Sequence, residues 1–405
     1  MLFLYSIGIQ GYYFLVFIFQ LFNPKAKSFI QGRKNQWDKI KKFSHSENVV
    51  WFHCASLGEF DQAIPLMKLI KENDSSKTIV VTFYSPSGME HYHKRSHCAD
   101  YVYYLPIDTK RNSIRFLERI KPIQIFFIKY EFWLHYIFES EKKQIPLYSV
   151  SCILRENQHY FKKYGKLFRK ALQCFSIFFV QNQETKKLLQ SIGIKNVVVT
   201  GDTRFDKVIE NKNHVQKDSQ IELFLGDVSQ TIILGSSWPV EESIFSEVLP
   251  NLSHEYKIII APHDVSEKHL LHIESMYFDK TVRYSKIDHF SNKQILLIDC
   301  IGKLSNAYSY GDYAIVGGGF TGKLHNTLEP IVFGVPVLFG PKHSKFPEAE
   351  YFKENEVGYE FNNSSELLSL ILMLEKQLPS IQEKCNQLIN QSRGSSEKII
   401  QQINN

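Results

Sequence analysis

The sequence predicts an α/β fold of two doubly wound parallel-sheet domains behind an apolar N-terminal helix. Three observations carry this. Short apolar runs alternate with helical periodicity from residue 48 onward. The alternation lapses into the polar ENKNHVQKDS between Asp206 and Gln230, then restarts. The stretch 1–22 holds no charged side chain. Strands alternating with helices imply parallel sheets. A chain of 405 residues exceeds one ordinary core, and about 100–200 residues per domain gives two. The expected parts are 1–42, 43–206 and 207–405.

The first part reads MLFLYSIGIQGYYFLVFIFQLF over 1–22. As a helix it would run about 33 Å, against a hydrocarbon core of ~30 Å. Gln10 and Gln20 are its strongly polar side chains, so it is apolar most of the way round. No Lys or Arg precedes Lys25, which argues against a cleaved signal peptide. A spanning anchor, an interfacial helix and a helix buried in the protein's own core stay open. The next stretch, 24–42, carries Lys25, Lys27, Arg33, Lys34, Lys39, Lys41 and Lys42 against Asp38. Basic flanks stay cytoplasmic and attract anionic headgroups. The body is therefore expected on the cytoplasmic side, against a phospholipid surface.

Within the body, strands are expected at 49–54, 78–83, 101–105, 123–128, 146–150, 177–180 and 197–200. Helices are expected at 61–71, 113–120, 161–175 and 184–192. After the polar break come strands at 231–234, 257–261, 295–298, 313–316 and 336–339, with helices at 241–249 and 267–278. The tail from Ser364 is expected to be helical and to belong to the second domain. Two such halves would leave a cleft, with ligands beyond the carboxyl ends of the strands.

The net charge of +6 suits an anionic partner such as a nucleotide or an acidic lipid surface. No nucleic acid is expected as a partner. The six cysteines, Cys54, Cys98, Cys152, Cys174, Cys300 and Cys385, are scattered without ligand spacing and read as reduced. No D-x-D and no G-x-x-x-x-G-K-[ST] occurs, so no metal and no cofactor is expected.

Two carboxylates stand out. Glu59 follows the strand run VVWFHC and Glu131 follows IQIFFI. In a parallel sheet both face one crevice. An unperturbed Glu, with a pKa near 4.3, is ionised at pH 7 and can take a proton from a hydroxyl. A Glu at a helix start also serves as a cap, and both readings of Glu59 stand. After the strand run YAIV come Gly317, Gly318, Gly319 and Gly322, then His325, Asn326 and Glu329. A glycine-rich turn with a helix start behind it offers N–H groups to an anion. The G-x-G-x-x-G spacing lacks the acidic residue of a dinucleotide site. Arg204, Ser236-Ser237 and Pro262-His263 sit at other strand ends.

These pieces together resemble the 3-deoxy-D-manno-octulosonic acid (Kdo) transferases. The resemblance rests on LYSIGIQGYYF, NPKAKSFIQGRKN, WFHCASLGEFDQAIPLMKLIK, TFYSPSG, YLPIDT, KPIQIFFIKYEFW and VTGDTRFD. In the second half it rests on GSSWPVEE and GGGFTGKLHNTLEPIVFGVPVLFGP. It implies a GT-B fold of two Rossmann-like domains, acceptor in the first and donor nucleotide in the second. It implies inverting, metal-independent transfer of Kdo from CMP-Kdo to a lipid A precursor at the bacterial inner membrane. By resemblance Glu59 is the general base, and Glu131 and Arg204 stabilise the transition state. The resemblance also implies that Pro262, His263, Gly302, Lys303, Leu304, Asn326, Thr327, Leu328 and Glu329 contact CMP, and Ser236, Gly318 and Gly319, at their strand ends, are expected to join them. Arg204 stands where many members have Lys, and His263 where many have Arg. A GT-B enzyme using a UDP-sugar, a non-catalytic nucleotide-binding scaffold and an NAD-dependent enzyme are the alternatives.

Overall fold

Strand β1, Val49–Cys54, is buried along its whole length. Its residues feed two cores in turn. Val49 and Trp51 enter one, while Val50, Phe52 and Cys54 enter the other. A strand buried on both faces reads as a continuous apolar run because the side-chain period is two. Strands β2 (Thr78–Phe83), β3 (Tyr101–Tyr104), β4 (Gln124–Ile128), β5 (Leu147–Cys152), β6 (Ile177–Val180) and β7 (Val197–Val199) complete this sheet. Its order is β3-β2-β1-β4-β5-β6-β7, with the paired strands parallel. Each fully buried Phe or Val contributes about 1.5–3 kcal/mol.

The computed structural model describes residues 1–44, 46–227, 230–253, 255–287 and 293–404. The chain divides into two compact units, Met1–Lys207 with Arg393–Asn405, and Val208–Ser392. The second unit holds β8 (Gln230–Ser237), β9 (Tyr256–Pro262), β10 (Thr281–Arg283), β11 (Ile295–Leu297), β12 (Tyr313–Val316), β13 (Val337–Phe339) and β14 (Gly358–Glu360). Its order is β10-β11-β9-β8-β12-β13-β14, again parallel. In each unit chain order reverses about the first strand, between β1 and β4 and between β8 and β12. These are the topological switch points of the two sheets.

Several expectations need correction. The stretch from Asp206 is no open linker: helices Arg204–Asn213 and Ser219–Leu225 occupy it, and the division at Lys207 falls inside the first. Val228 and Ser229 lie outside the described residues. The last helix, Ser395–Asn404, belongs to the first unit and not to the second. Ile399 is buried in the first unit's core, and Asp206 accepts the backbone N–H of Gly394 and of Ser396, at 2.8 and 2.7 Å. A carboxylate on free N–H groups at a helix start is favourable through both hydrogen bonding and the dipole. The helix expected at 161–175 shortens to Lys166–Leu172. Arg169 donates to the Tyr160 and Lys162 carbonyls, holding the preceding chain in tight turns.

The segment 1–42 clusters with the first unit. Helix Leu2–Phe19 has no buried residue, which removes the reading of a core helix. It is long and apolar enough to cross a membrane. Its first turns nevertheless touch the unit. The Tyr5 hydroxyl donates to Asp108 at 2.5 Å, and Ser6 Oγ lies 2.8 Å from His135 Nε2.

Candidate functional site

Ser56 caps helix Leu57–Asn73, which starts four residues before the expected 61. Glu59 is therefore its third residue, and its carboxylate accepts the Ser56 N–H at 3.0 Å. The capping role is real. It also fixes the carboxylate just beyond the end of β1. Glu131 follows β4, the strand paired with β1, with Val50–His53 opposite Gln124–Phe127. The two carboxylates thus lie at the switch point of the first sheet.

The two are not ordinary glutamates. Burial pushes the Glu59 carboxyl up, against the opposing pull of Lys129 and of the Ser56 and Ala55 N–H groups. Burial, and then the charge of Glu59, holds Glu131 up at about 8, while Trp133 and Lys129 pull it down. The expectation of an unperturbed carboxylate is therefore corrected: the cause is desolvation of two neighbouring like charges. Lys129, between β4 and Glu131, adopts φ +61°, a conformation that costs a non-glycine residue energy. That turn carries Glu131 away from the strand.

Arg204 begins a helix on the same unit. Its Nε donates to Asp202 at 2.8 Å, and its backbone N–H donates to the same carboxylate at 2.9 Å. Buried Asp202 also accepts from Gln62, on the helix that bears Glu59, at 2.8 Å. Burial opposes Asp202 ionisation, yet Arg204 outweighs it and holds the carboxyl below the usual range.

The second unit gathers its expected residues at the carboxyl ends of β8, β9, β11 and β12. Ser236, with φ +50°, is the next-to-last residue of β8. Pro262 ends β9, and the His263 N–H donates to the Ser237 carbonyl at 2.9 Å. Gly317 must be glycine, since a Cβ there would lie 2.0 Å from the Ser236 carbonyl oxygen. At Gly319 it would lie 2.4 Å from the Gly340 nitrogen. The glycines let the end of β8 meet the loop after β12, and that loop meet the one after β13.

Two details of the glycine-loop expectation are corrected. The Gly318 N–H already donates to buried Glu241, at 2.8 Å. The following helix, Leu328–Val332, has only five residues, and Gly317 to Thr327 is loop, so the expected helix-start dipole is weak. Within that loop the Asn326 side-chain Oδ1 accepts the Leu328 N–H and its Nδ2 donates to Glu329, both at 3.0 Å. Thr327 is fully buried. Gly302 takes φ +96°, Lys303 ion-pairs with Asp218 at 2.9 Å, and Leu304 opens a short helix.

Sequence reasoning missed Trp238. Its ring stacks on His263 at 4.7 Å with 10° between planes, and its indole N–H donates to His325 at 3.1 Å. His325 is neutral, held down at about 4 by burial and then by His263. The signal was present in SSWP, where a Trp precedes a helix-opening Pro directly after a strand.

Residues 31–207 match the family model of 3-deoxy-D-manno-octulosonic-acid transferase (kdotransferase). The chain is 28% identical over 373 residues to a 3-deoxy-D-manno-octulosonic acid transferase of Aquifex aeolicus, covering 87% of this chain and 96% of the relative. To that of Chlamydia trachomatis it is 27% identical over 409 residues, covering 94% and 93%. In fold it is similar to the UDP-GlcNAc 2-epimerase of Neisseria meningitidis bound to UDP-GlcNAc, at 16% identity and a TM-score of 0.62, over 87% of this chain and 98% of that one. With two parallel Rossmann-like units of GT-B type, the family-model match over residues 31–207 and Kdo transferase relatives along most of its length, the chain is a glycosyltransferase similar to the Kdo transferases.

Proposed function

We propose that the protein transfers Kdo from CMP-Kdo to a sugar hydroxyl of a lipid A precursor, with Glu59 as general base. The observation that carries this reading is the pair Glu59 and Glu131 at neighbouring strand ends. The acceptor oxygen attacks the anomeric carbon of Kdo. The bond from that carbon to the CMP phosphate breaks, and the electron pair leaves with CMP. The acceptor proton passes to Glu59, which contributes roughly 10²–10⁴ in rate. Attack opposite the leaving group inverts the centre.

Glu131 keeps its proton up to about pH 8 and donates a hydrogen bond to charge developing on the reacting groups. Arg204, oriented by Asp202, adds positive charge. On this reading the first unit binds the acceptor and the second binds CMP through Ser236, Pro262, His263, Gly302–Leu304, Gly318, Gly319 and Asn326–Glu329. The apolar helix and exposed Lys25, Lys27, Lys34, Lys39, Lys41 and Lys42 hold the enzyme at the cytoplasmic face of the inner membrane, where the acceptor lipid resides.

A transfer assay with CMP-Kdo and a tetraacylated disaccharide acceptor tests the reading. CMP release with a matching gain in lipid mass is expected. Turnover with UDP-sugars but none with CMP-Kdo would overturn it.

A further inference from the structure

His53 is fully buried on β1, two positions before Ala55 and on the core face it shares with Trp51. Its ring sits in a defined pair of hydrogen bonds. The Trp133 indole N–H can only donate, and it reaches His53 Nε2 at 2.9 Å. Nε2 is therefore the bare nitrogen, and the single proton of the neutral ring is on Nδ1. Nδ1 lies 2.9 Å from Thr82 Oγ1 and 3.2 Å from the Thr82 carbonyl oxygen, so it donates there. Burial keeps the ring neutral, holding its pKa down at about 3. A protonated ring would set two donors against each other at Nε2.

Trp133 in turn ends the turn that bears Glu131, two residues along, and its side chain pulls the Glu131 pKa down. Tyr84 covers its ring at 4.5 Å. Tyr84 is held from behind: buried Arg33 donates to its carbonyl at 2.7 Å and lies 5.1 Å over its ring. The indole is thus pinned on its N–H edge by His53 and on its face by Tyr84.

We infer that His53 and Trp133 are positioning residues for Glu131, the imidazole anchoring the indole N–H and with it the turn that carries the carboxyl group. The inference rests on the carboxylate-pair reading above. A packing role alone would need the ring of Trp133 and not its N–H, and would place no demand on His53 for an acceptor.

The test uses the full-length enzyme with CMP-Kdo and lipid acceptor. Trp133→Phe keeps an aromatic ring on Tyr84 and removes the N–H. His53→Leu removes the acceptor. His53→Gln restores an acceptor towards Trp133 and a donor towards Thr82. Expected is a fall in kcat of at least about tenfold for Trp133→Phe and His53→Leu, with the KM for CMP-Kdo within about twofold of wild type, since misplacement of a reacting group acts on the chemical step. His53→Gln recovers most of the loss. Thermal melts check folding, and any variant that fails to fold is replaced by Trp133→His, which restores a ring N–H. Glu59→Gln is measured beside them. If it is inactive while His53→Leu and Trp133→Phe keep wild-type kcat, this inference is overturned and the carboxylate reading stands. If Glu59→Gln itself turns over normally, the reading falls and the inference falls with it.

Discussion

The charge of Glu59 reaches Glu131 and, with burial, holds its carboxyl up at about 8. Two acids at the ends of neighbouring parallel strands therefore titrate as a pair. Burial pushes the Glu59 carboxyl up as well, but Lys129 and the Ser56 N–H, at 3.0 Å, act in favour of its charge. Two identical side chains thus stand in unequal surroundings, and the proposed division into base and acid follows that inequality.

That division separates two substitutions at one position. A protonated Glu131 acts as a hydrogen-bond donor, and an amide retains a donor. Glu131→Gln is expected to keep more kcat than Glu131→Ala by about tenfold or more at pH 7. Steady-state kinetics with CMP-Kdo check it. Equal losses would show that the charge of Glu131, and not its proton, matters.

The same pKa has a consequence for stability. Folding raises the Glu131 pKa from 4.5 to about 8, so the folded state binds this proton more tightly. The stabilising effect is complete below about pH 4.5 and is lost as pH rises through 8. Glu131→Gln, always neutral, is expected to gain thermal stability relative to wild type between pH 5 and pH 8. The gain is up to a few kcal/mol, since each tenfold change in proton affinity is worth about 1.4 kcal/mol. Melts at the two pH values decide. A difference that does not change with pH would contradict the assignment.

Glu241 is buried and accepts the Gly318 N–H at 2.8 Å. Glu241→Ala leaves that donor unpaired in the glycine loop. A loss of about 1–3 kcal/mol in stability is expected, together with weaker CMP binding as the loop relaxes. Calorimetry with CMP and a chemical melt measure the two effects. Unchanged CMP affinity would separate the loop from the donor site.

Gly319→Ala is expected to be still more damaging to the second unit, because its Cβ would lie 2.4 Å from the Gly340 backbone nitrogen. Backbone on one side cannot rotate away as a side chain can, so a loss of at least about 1–3 kcal/mol follows. A variant with wild-type melting behaviour would mean that the loops after β12 and β13 do not touch in solution.

The strands were the most legible part of this chain. VVWFHC and IQIFFI are apolar but for His53 and Gln124 because their sheet is covered on both faces, and that pattern has few other meanings. Glu59 and Glu131 were legible for the same reason, since their places follow from where two strands end. What distant contacts decide was not legible. Nothing in SSEKIIQQIN says that Asp206 caps it and that Ile399 enters the first unit's core. The polar run at 206–230 hid two helices because a mostly polar stretch from Glu210 to Gln220 separates its apolar residues, of which the second helix buries Ile221 and Phe224. The glycine triplet signalled a tight approach, but its neighbour is another loop and Glu241, which local sequence could not reveal. His53 and Trp133 are 80 residues apart, and their bond depends on β1 and β4 pairing in one register.

The measurement that bears most directly on the central claim is transfer of Kdo from CMP-Kdo by wild type and by Glu59→Gln under one set of conditions. Glu59→Gln is expected to fold, at a cost of about 1 kcal/mol or less to the helix cap, to bind CMP as wild type does, and to lose at least about 10²-fold in kcat. A Glu59→Gln enzyme that transfers Kdo at close to the wild-type rate would contradict the account and leave Glu59 as a helix cap alone.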